Sequence, residues 1–107
     1  MSILKTHDSL LLDLDGTVWE GGQAVQCVVD VVNSCGIPPV YVTNNASRSP
    51  QTVAEMLGEI GVKTDAGHVV TSAQAAIRMA REDLSAGAKV LIIGADSFRA
   101  LAREAGF

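Results

Sequence analysis

Leu10-Leu11-Leu12-Asp13-Leu14-Asp15-Gly16-Thr17-Val18 decides how the rest of the chain is read. A continuous apolar run is the sequence signature of a buried parallel strand. This run ends in two carboxylates spaced i, i+2, followed at once by Gly-Thr. Ligand chemistry in open α/β sheets gathers at the carboxyl ends of such strands. In a strand, i and i+2 point to the same side; if the chain leaves the strand after Asp13, Asp15 swings to a different station. Either way two negative groups sit close together at the mouth of a sheet, and they repel unless a cation or a shared proton relieves them. A Mg²⁺ site, with one carboxylate free to act as nucleophile or acid/base, is the economical explanation.

The rest of the chain alternates. Leu10 to Asp13 reads as the first strand and Val18 to Gln23 as a turn or short hairpin. Ala24 to Cys35 places valines at helical spacing, and Gly36 is a fitting stop. Val40 to Thr43 is the second strand. Ser49-Pro50, an N-cap with proline at N1, opens a helix through Ile60 that Gly61 ends. Lys63 to His68 is a loop, and Val69-Val70 adds at most a short extended piece. Thr71 to Gln74 fits a capping box, opening a helix to about Leu84 with Ala76, Ile77 and Ala80 inward. Ala88 to Ile93 reads as the third strand, closed by Gly94. A helix from about Ser97 to Ala105 ends at Gly106. Strands and helices in alternation imply right-handed crossovers and a parallel sheet with helices on both faces.

The chain has 107 residues, which bounds it to one domain. Its formal net charge of −4 argues against nucleic acid or an anionic membrane surface as partner. No run approaches the ~18 apolar residues of a membrane span. Met1 to Asp8 is not a secretory signal, so a cytoplasmic address is the expectation. Cys27 and Cys35 fall in one expected helix, roughly 12 Å apart, beyond the ~7 Å a disulfide needs. Both are read as buried, reduced thiols. His7 and His68 lack partners at metal spacing and are read as surface residues.

Asp13-Leu14-Asp15-Gly16-Thr17-Val18 resembles the first motif, DxDGT followed by Val or Leu, of the haloacid dehalogenase superfamily. Tyr41-Val42-Thr43-Asn44-Asn45-Ala46-Ser47-Arg48-Ser49 resembles the second motif in its Thr-Asn-Asn form. That form, with Val70-Thr71-Ser72-Ala73, is similar to the NagD/pyridoxal-phosphate phosphatase branch (subfamily IIA). The resemblance covers Leu10 to Phe107. The two motifs lie roughly 28 residues apart, a spacing that suits a βαβ crossover.

The resemblance implies an α/β fold, a Rossmann-like three-layer α/β/α core with a parallel sheet. Here that core would be incomplete, with about three strands and four helices. It implies a Mg²⁺-dependent phosphatase of small phosphorylated metabolites such as sugar phosphates, glycerol phosphate or pyridoxal phosphate. Asp13 would be the nucleophile and Asp15 the general acid/base, with both Asp13 and Asp15 at the metal. Gly16 and Thr17 would let the backbone turn and present N–H groups to phosphate. Thr43 would offer its hydroxyl to phosphate, with the Asn44 backbone N–H beside it, and Asn45 would orient the loop or the nucleophile. Trp19 and Glu20 fall where the superfamily has a flap; Trp19 is read as packing ahead of gating. Arg48 is read as solvated ahead of meeting substrate. Thr71 and Ser72 are read as helix caps.

The family's third motif supplies a lysine and its fourth supplies acids that complete the Mg²⁺ shell. Neither follows Thr43 in a matching context. Gly94-Ala95-Asp96-Ser97 is one residue out of pattern and lacks the second acid. Residues 1–107 are therefore expected to be the N-terminal portion of a larger hydrolase core, without its cap domain or C-terminal half, and inactive or nearly so alone. The uncovered edge of the first strand is expected to invite self-association. Two alternatives are a non-catalytic phosphate- and Mg²⁺-binding fragment and a receiver-like phospho-acceptor module. The order of acids and strands argues against the receiver. No G-x-x-x-x-G-K-[ST] loop is present.

Overall fold

The computed structural model describes residues 3–107. Met1 and Ser2, the start of the Met1–Asp8 stretch, lie outside the described residues. A 3₁₀ turn at Ile3–Thr6 leads into β1 (Leu11–Asp13). A hairpin of β2 (Trp19–Glu20) and β3 (Gln23–Ala24) follows, then α1 (Gln26–Ser34), β4 (Val40–Thr43) and α2 (Pro50–Glu59). The remainder is β5 (Val69–Thr71), α3 (Ser72–Asp83) and α4 (Asp96–Glu104).

The sheet has three parallel strands in the order β1-β4-β5. Two successive right-handed crossovers that step in the same direction put α1 and α2 on the same face. That face carries the core. Leu12, Tyr41 and Val69 share it by register and pack with Val29 and Val32 of α1 and Val53 and Leu57 of α2. Leu11, Val42 and Val70 look the other way and stay exposed, Leu11 at 68%. The fold class is the expected one, an incomplete Rossmann-like α/β core, and its incompleteness includes this face. The radius of gyration is 15.8 Å; a compact domain of about 100 residues has about 13 Å. Among the described residues no helix is long and apolar enough to cross a membrane.

Local chemistry sets the element ends. Ser49 caps α2 by accepting the Thr52 N–H at 3.1 Å, with Pro50 at the first helical position. Thr71 and Gln74 form a complete capping box for α3, with bonds of 3.2 and 2.9 Å.

Three expectations are corrected. Ala88 to Ile93 is not a strand. Val69–Thr71 takes the place beside β4, and among the described residues the later run pairs with no strand; Leu91 and Ile93 stand 87% and 91% exposed. In α3 it is Ala73 that is buried, while Ala76 is exposed. Cys27 is exposed and Cys35 only partly covered, and both are free thiols. Cys27 precedes Val28 and Val29, which turn towards the core, so its side chain falls off the buried stripe.

Candidate active site

β1 and β4 are parallel neighbours and end at the same edge of the sheet, Asp13 opposite Val42 and Thr43 one residue further. Asp13 lies on the exposed face with Val42. Its carboxylate takes part in no hydrogen bond or ion pair among the described residues. Thr43 follows Tyr41 to the core side and is 5% exposed. The two side chains thus reach the edge from opposite faces of the sheet.

The chain after β1 closes on itself. The N–H groups of Thr17, Val18 and Trp19 donate to the Leu14 carbonyl at 3.0, 2.9 and 3.3 Å. Gly16, at φ 81°, donates its N–H to the Trp19 carbonyl at 2.8 Å. That left-handed conformation is why glycine stands there. It also corrects the expectation that Gly16 and Thr17 offer N–H groups to phosphate: both are committed to the turn. Asp15 is exposed, and its Oδ1 accepts the Trp19 indole N–H at 2.9 Å.

The loop after β4 is equally bonded. Thr43 Oγ1 accepts the Asn45 N–H at 3.1 Å. A hydroxyl has one donor and two acceptor positions, so the Thr43 proton remains free for a ligand. Asn45 Oδ1 accepts the Ser47 N–H at 2.9 Å and the Ser47 hydroxyl. The Asn45 side chain therefore shapes its own loop and makes no bond to Asp13. Asn44 is exposed, and its carbonyl accepts the Ser72 hydroxyl at 3.0 Å. The Ser97 hydroxyl reaches the Ser47 carbonyl at 3.4 Å.

Asp13 and Asp15 are the hard oxygen donors at this edge. Among the described residues no group of three or more His, Cys, Asp or Glu is placed to hold a metal. Mg²⁺ characteristically uses one or two protein carboxylates, substrate phosphate and several waters, so the Asp13 carboxylate with the backbone carbonyl of Asp15 fits it in part. Asp96 plays no role here: it opens α4 and pairs with Arg99 at 2.9 Å.

A cleft of about 240 Å³ opens beside Asp15, with Trp19, Gly22, Arg48, Met56 and Glu59 in its walls. A larger depression of 340 Å³, lined by Val32, Pro38, Lys63 and His68, adjoins the start of β4. That is the amino end of the strands, away from where α/β sheets bind ligands. Two contacts were not read from the sequence, the Trp19–Asp15 bond and the Ser72–Asn44 bond. The first had a signal, because a buried indole N–H generally finds an acceptor.

Residues 10–107 match a family described as haloacid dehalogenase-like hydrolase. The chain belongs to this family. Among its relatives, D-glycerol 3-phosphate phosphatase of Mycobacterium tuberculosis is 45% identical over 103 residues. That match covers 96% of this chain and 28% of the relative. Acid sugar phosphatase of Staphylococcus aureus is 36% identical over 106 residues, covering 96% of this chain and 40% of the relative. The crystal structure of the M. tuberculosis glycerol phosphate phosphatase in complex with magnesium superposes with a TM-score of 0.94 at 41% identity. It covers 98% of this chain and 32% of that one. NagD from Escherichia coli K-12 gives 0.81 at 25% identity, covering 94% of this chain and 40% of that one. The chain thus spans well under half the length of each of these relatives.

Proposed function

We propose that this chain carries the nucleophile half of the active site of a Mg²⁺-dependent phosphatase acting on small phosphorylated metabolites. Glycerol phosphate and sugar phosphates are the substrate classes closest to its relatives. The observation that carries this reading is the unbonded Asp13 carboxylate at the end of β1, beside the end of β4, where Thr43 keeps a free hydroxyl proton.

In this mechanism an Asp13 carboxylate oxygen attacks phosphorus as the bond to the leaving alkoxide breaks. Asp15, entering protonated, gives its proton to that alkoxide. It then takes a proton from water, whose oxygen attacks the same phosphorus. The bond from phosphorus to Asp13 breaks, releasing inorganic phosphate and restoring the carboxylate. Thr43 and the backbone of Asn44 hold phosphate oxygens. The Asp13 carboxylate and the Asp15 backbone carbonyl would hold Mg²⁺, whose charge would offset the repulsion between carboxylate and phosphate and stabilise the transferring group. The third-motif lysine and fourth-motif acids have no counterpart here. We therefore read residues 1–107 as one portion of a hydrolase core that turns over little or not at all alone.

The test is phosphoryl trapping. Acetyl phosphate has a good leaving group, so the first half-reaction needs no acid. Incubated with Mg²⁺ and acetyl phosphate, the chain should gain one hydroxylamine-sensitive phosphoryl group, seen by intact mass. Asp13→Asn should not. A phosphoryl group that survives Asp13→Asn, or none in either protein, counts against the reading. The same proposal includes the cytoplasmic address and self-association through the open edge of β1.

A further inference from the structure

We propose that Trp19 is a positioning residue for Asp15, holding its carboxylate in one side-chain rotamer. This rests on Asp15 being the acid/base. The indole Nε1–H donates to Asp15 Oδ1 at 2.9 Å. The two partners are unequal. Trp19 is 7% exposed and belongs to the core cluster with Leu14 and Val18. Asp15 is exposed. The buried ring is the fixed partner, so the bond restrains the carboxylate and not the indole.

The backbone reinforces this. Asp15 and Trp19 are bridged as neighbouring strand residues, and the turn between them is tied to Leu14 by three N–H bonds. The indole therefore meets Asp15 from a direction set by the fold. With one lone pair of Oδ1 engaged by the indole, the carboxylate is held in one orientation and its other acceptor positions face outward. An Asp15 without this bond would sample several side-chain rotamers and present the carboxylate in that orientation only part of the time. Loss of such orientation is costly in catalysis because reacting groups must already be aligned. Asp15 and Trp19 together form part of the wall of one cleft, with Arg48, Met56 and Glu59, while Asp13 and Thr43 lie outside that cleft.

The experiment is solution NMR on the isotopically labelled chain, and it needs no turnover. Three-bond couplings from the backbone N and carbonyl carbon to Asp15 Cγ report its χ1 angle. In the wild-type chain they should describe one rotamer. In Trp19→Phe they should average over rotamers while amide shifts of β1 and β4 stay in place. A Trp19 that only fills the core would change stability and leave these couplings alone. Should Trp19→Phe not fold, Asp15→Ala and Asp15→Asn replace it. The indole N–H should exchange with solvent about tenfold faster in Asp15→Ala and stay slow in Asp15→Asn, whose amide oxygen still accepts. Averaged couplings in the wild type, a single rotamer in Trp19→Phe, or an unchanged exchange rate in Asp15→Ala overturns the proposal. Failure to trap phosphate on Asp13 would count against the phosphatase reading and leave these couplings unaffected.

Discussion

The hydroxyl of Ser72, first residue of α3, donates to the carbonyl of Asn44 at 3.0 Å. It ties the loop after β4 to the helix that follows β5, across the carboxyl edge of the sheet. Thr71, one residue earlier, spends its side chain on the capping box, so Ser72 is free for this bridge. Ser72→Ala should cost about 1 kcal/mol and raise amide exchange through residues 44–48. Urea titration with native-state hydrogen exchange checks both. Unchanged exchange in that loop would mean the Ser72 bridge does not hold it.

Tyr41, the chain's single tyrosine, gives an alkaline limb. Burial pushes its phenol up from the ordinary value of 10.0, with nearby Cys35 adding to the effect. Its folded pKa lies above its unfolded one, so the stabilising contribution is fully present below pH 10 and is lost as pH rises through the folded value. Denaturation midpoints should fall above pH 10 in the wild type and fall less in Tyr41→Phe. Phenolate absorbance should appear together with unfolding. Full ionisation at pH 10 in a still-folded chain would contradict this.

Asp65 works in the opposite direction. The hydrogen bond from His68, 3.0 Å away, holds its carboxyl below the usual value of 3.8. A lowered carboxyl stabilises above its unfolded pKa, and the effect disappears as pH falls through the folded value. The Tm difference between wild type and Asp65→Asn should be small, because the pair is exposed, and should shrink further below pH 3.8. A difference that does not change with pH would show that the pair adds nothing.

The outer edge of β1 makes a prediction about association. Among the described residues β1 pairs only with β4, and Leu11 on it is 68% exposed. Open apolar edges recruit other strands, and lysine there discourages pairing. Sedimentation should show concentration-dependent self-association that Leu11→Lys weakens while the far-UV spectrum is kept. Equal association of both proteins would move the contact elsewhere, with the exposed Leu91–Ile93 run as the next place to test.

Features that depend on neighbouring residues were legible in the sequence. Ser49-Pro50 and Thr71 to Gln74 announced their caps because a cap is made by side chains three residues apart. Asp13 and Thr43 were legible because an apolar run ending in polar groups is itself the mouth of a parallel strand. Ala88 to Ile93 failed because an apolar run becomes a strand only by pairing, and periodicity does not say which runs pair. Gly16 reads from the sequence as a turn residue, but nothing local in the sequence shows where its N–H goes. Only the closed turn shows that the Trp19 carbonyl takes it. The Trp19–Asp15 bond has i, i+4 spacing, which suggests a helix face. Here a turn of backbone bonds produces it.

Paramagnetic broadening by Mn²⁺, substituting for Mg²⁺ on the ¹⁵N-labelled chain with inorganic phosphate present, tests the central claim most directly. Signal should be lost most strongly at residues 13–16 and 43–45, and that loss should be abolished in Asp13→Asn. Broadening centred on Lys63, Asp65 and His68 at the other end of the sheet, or unchanged in Asp13→Asn, would contradict the claim.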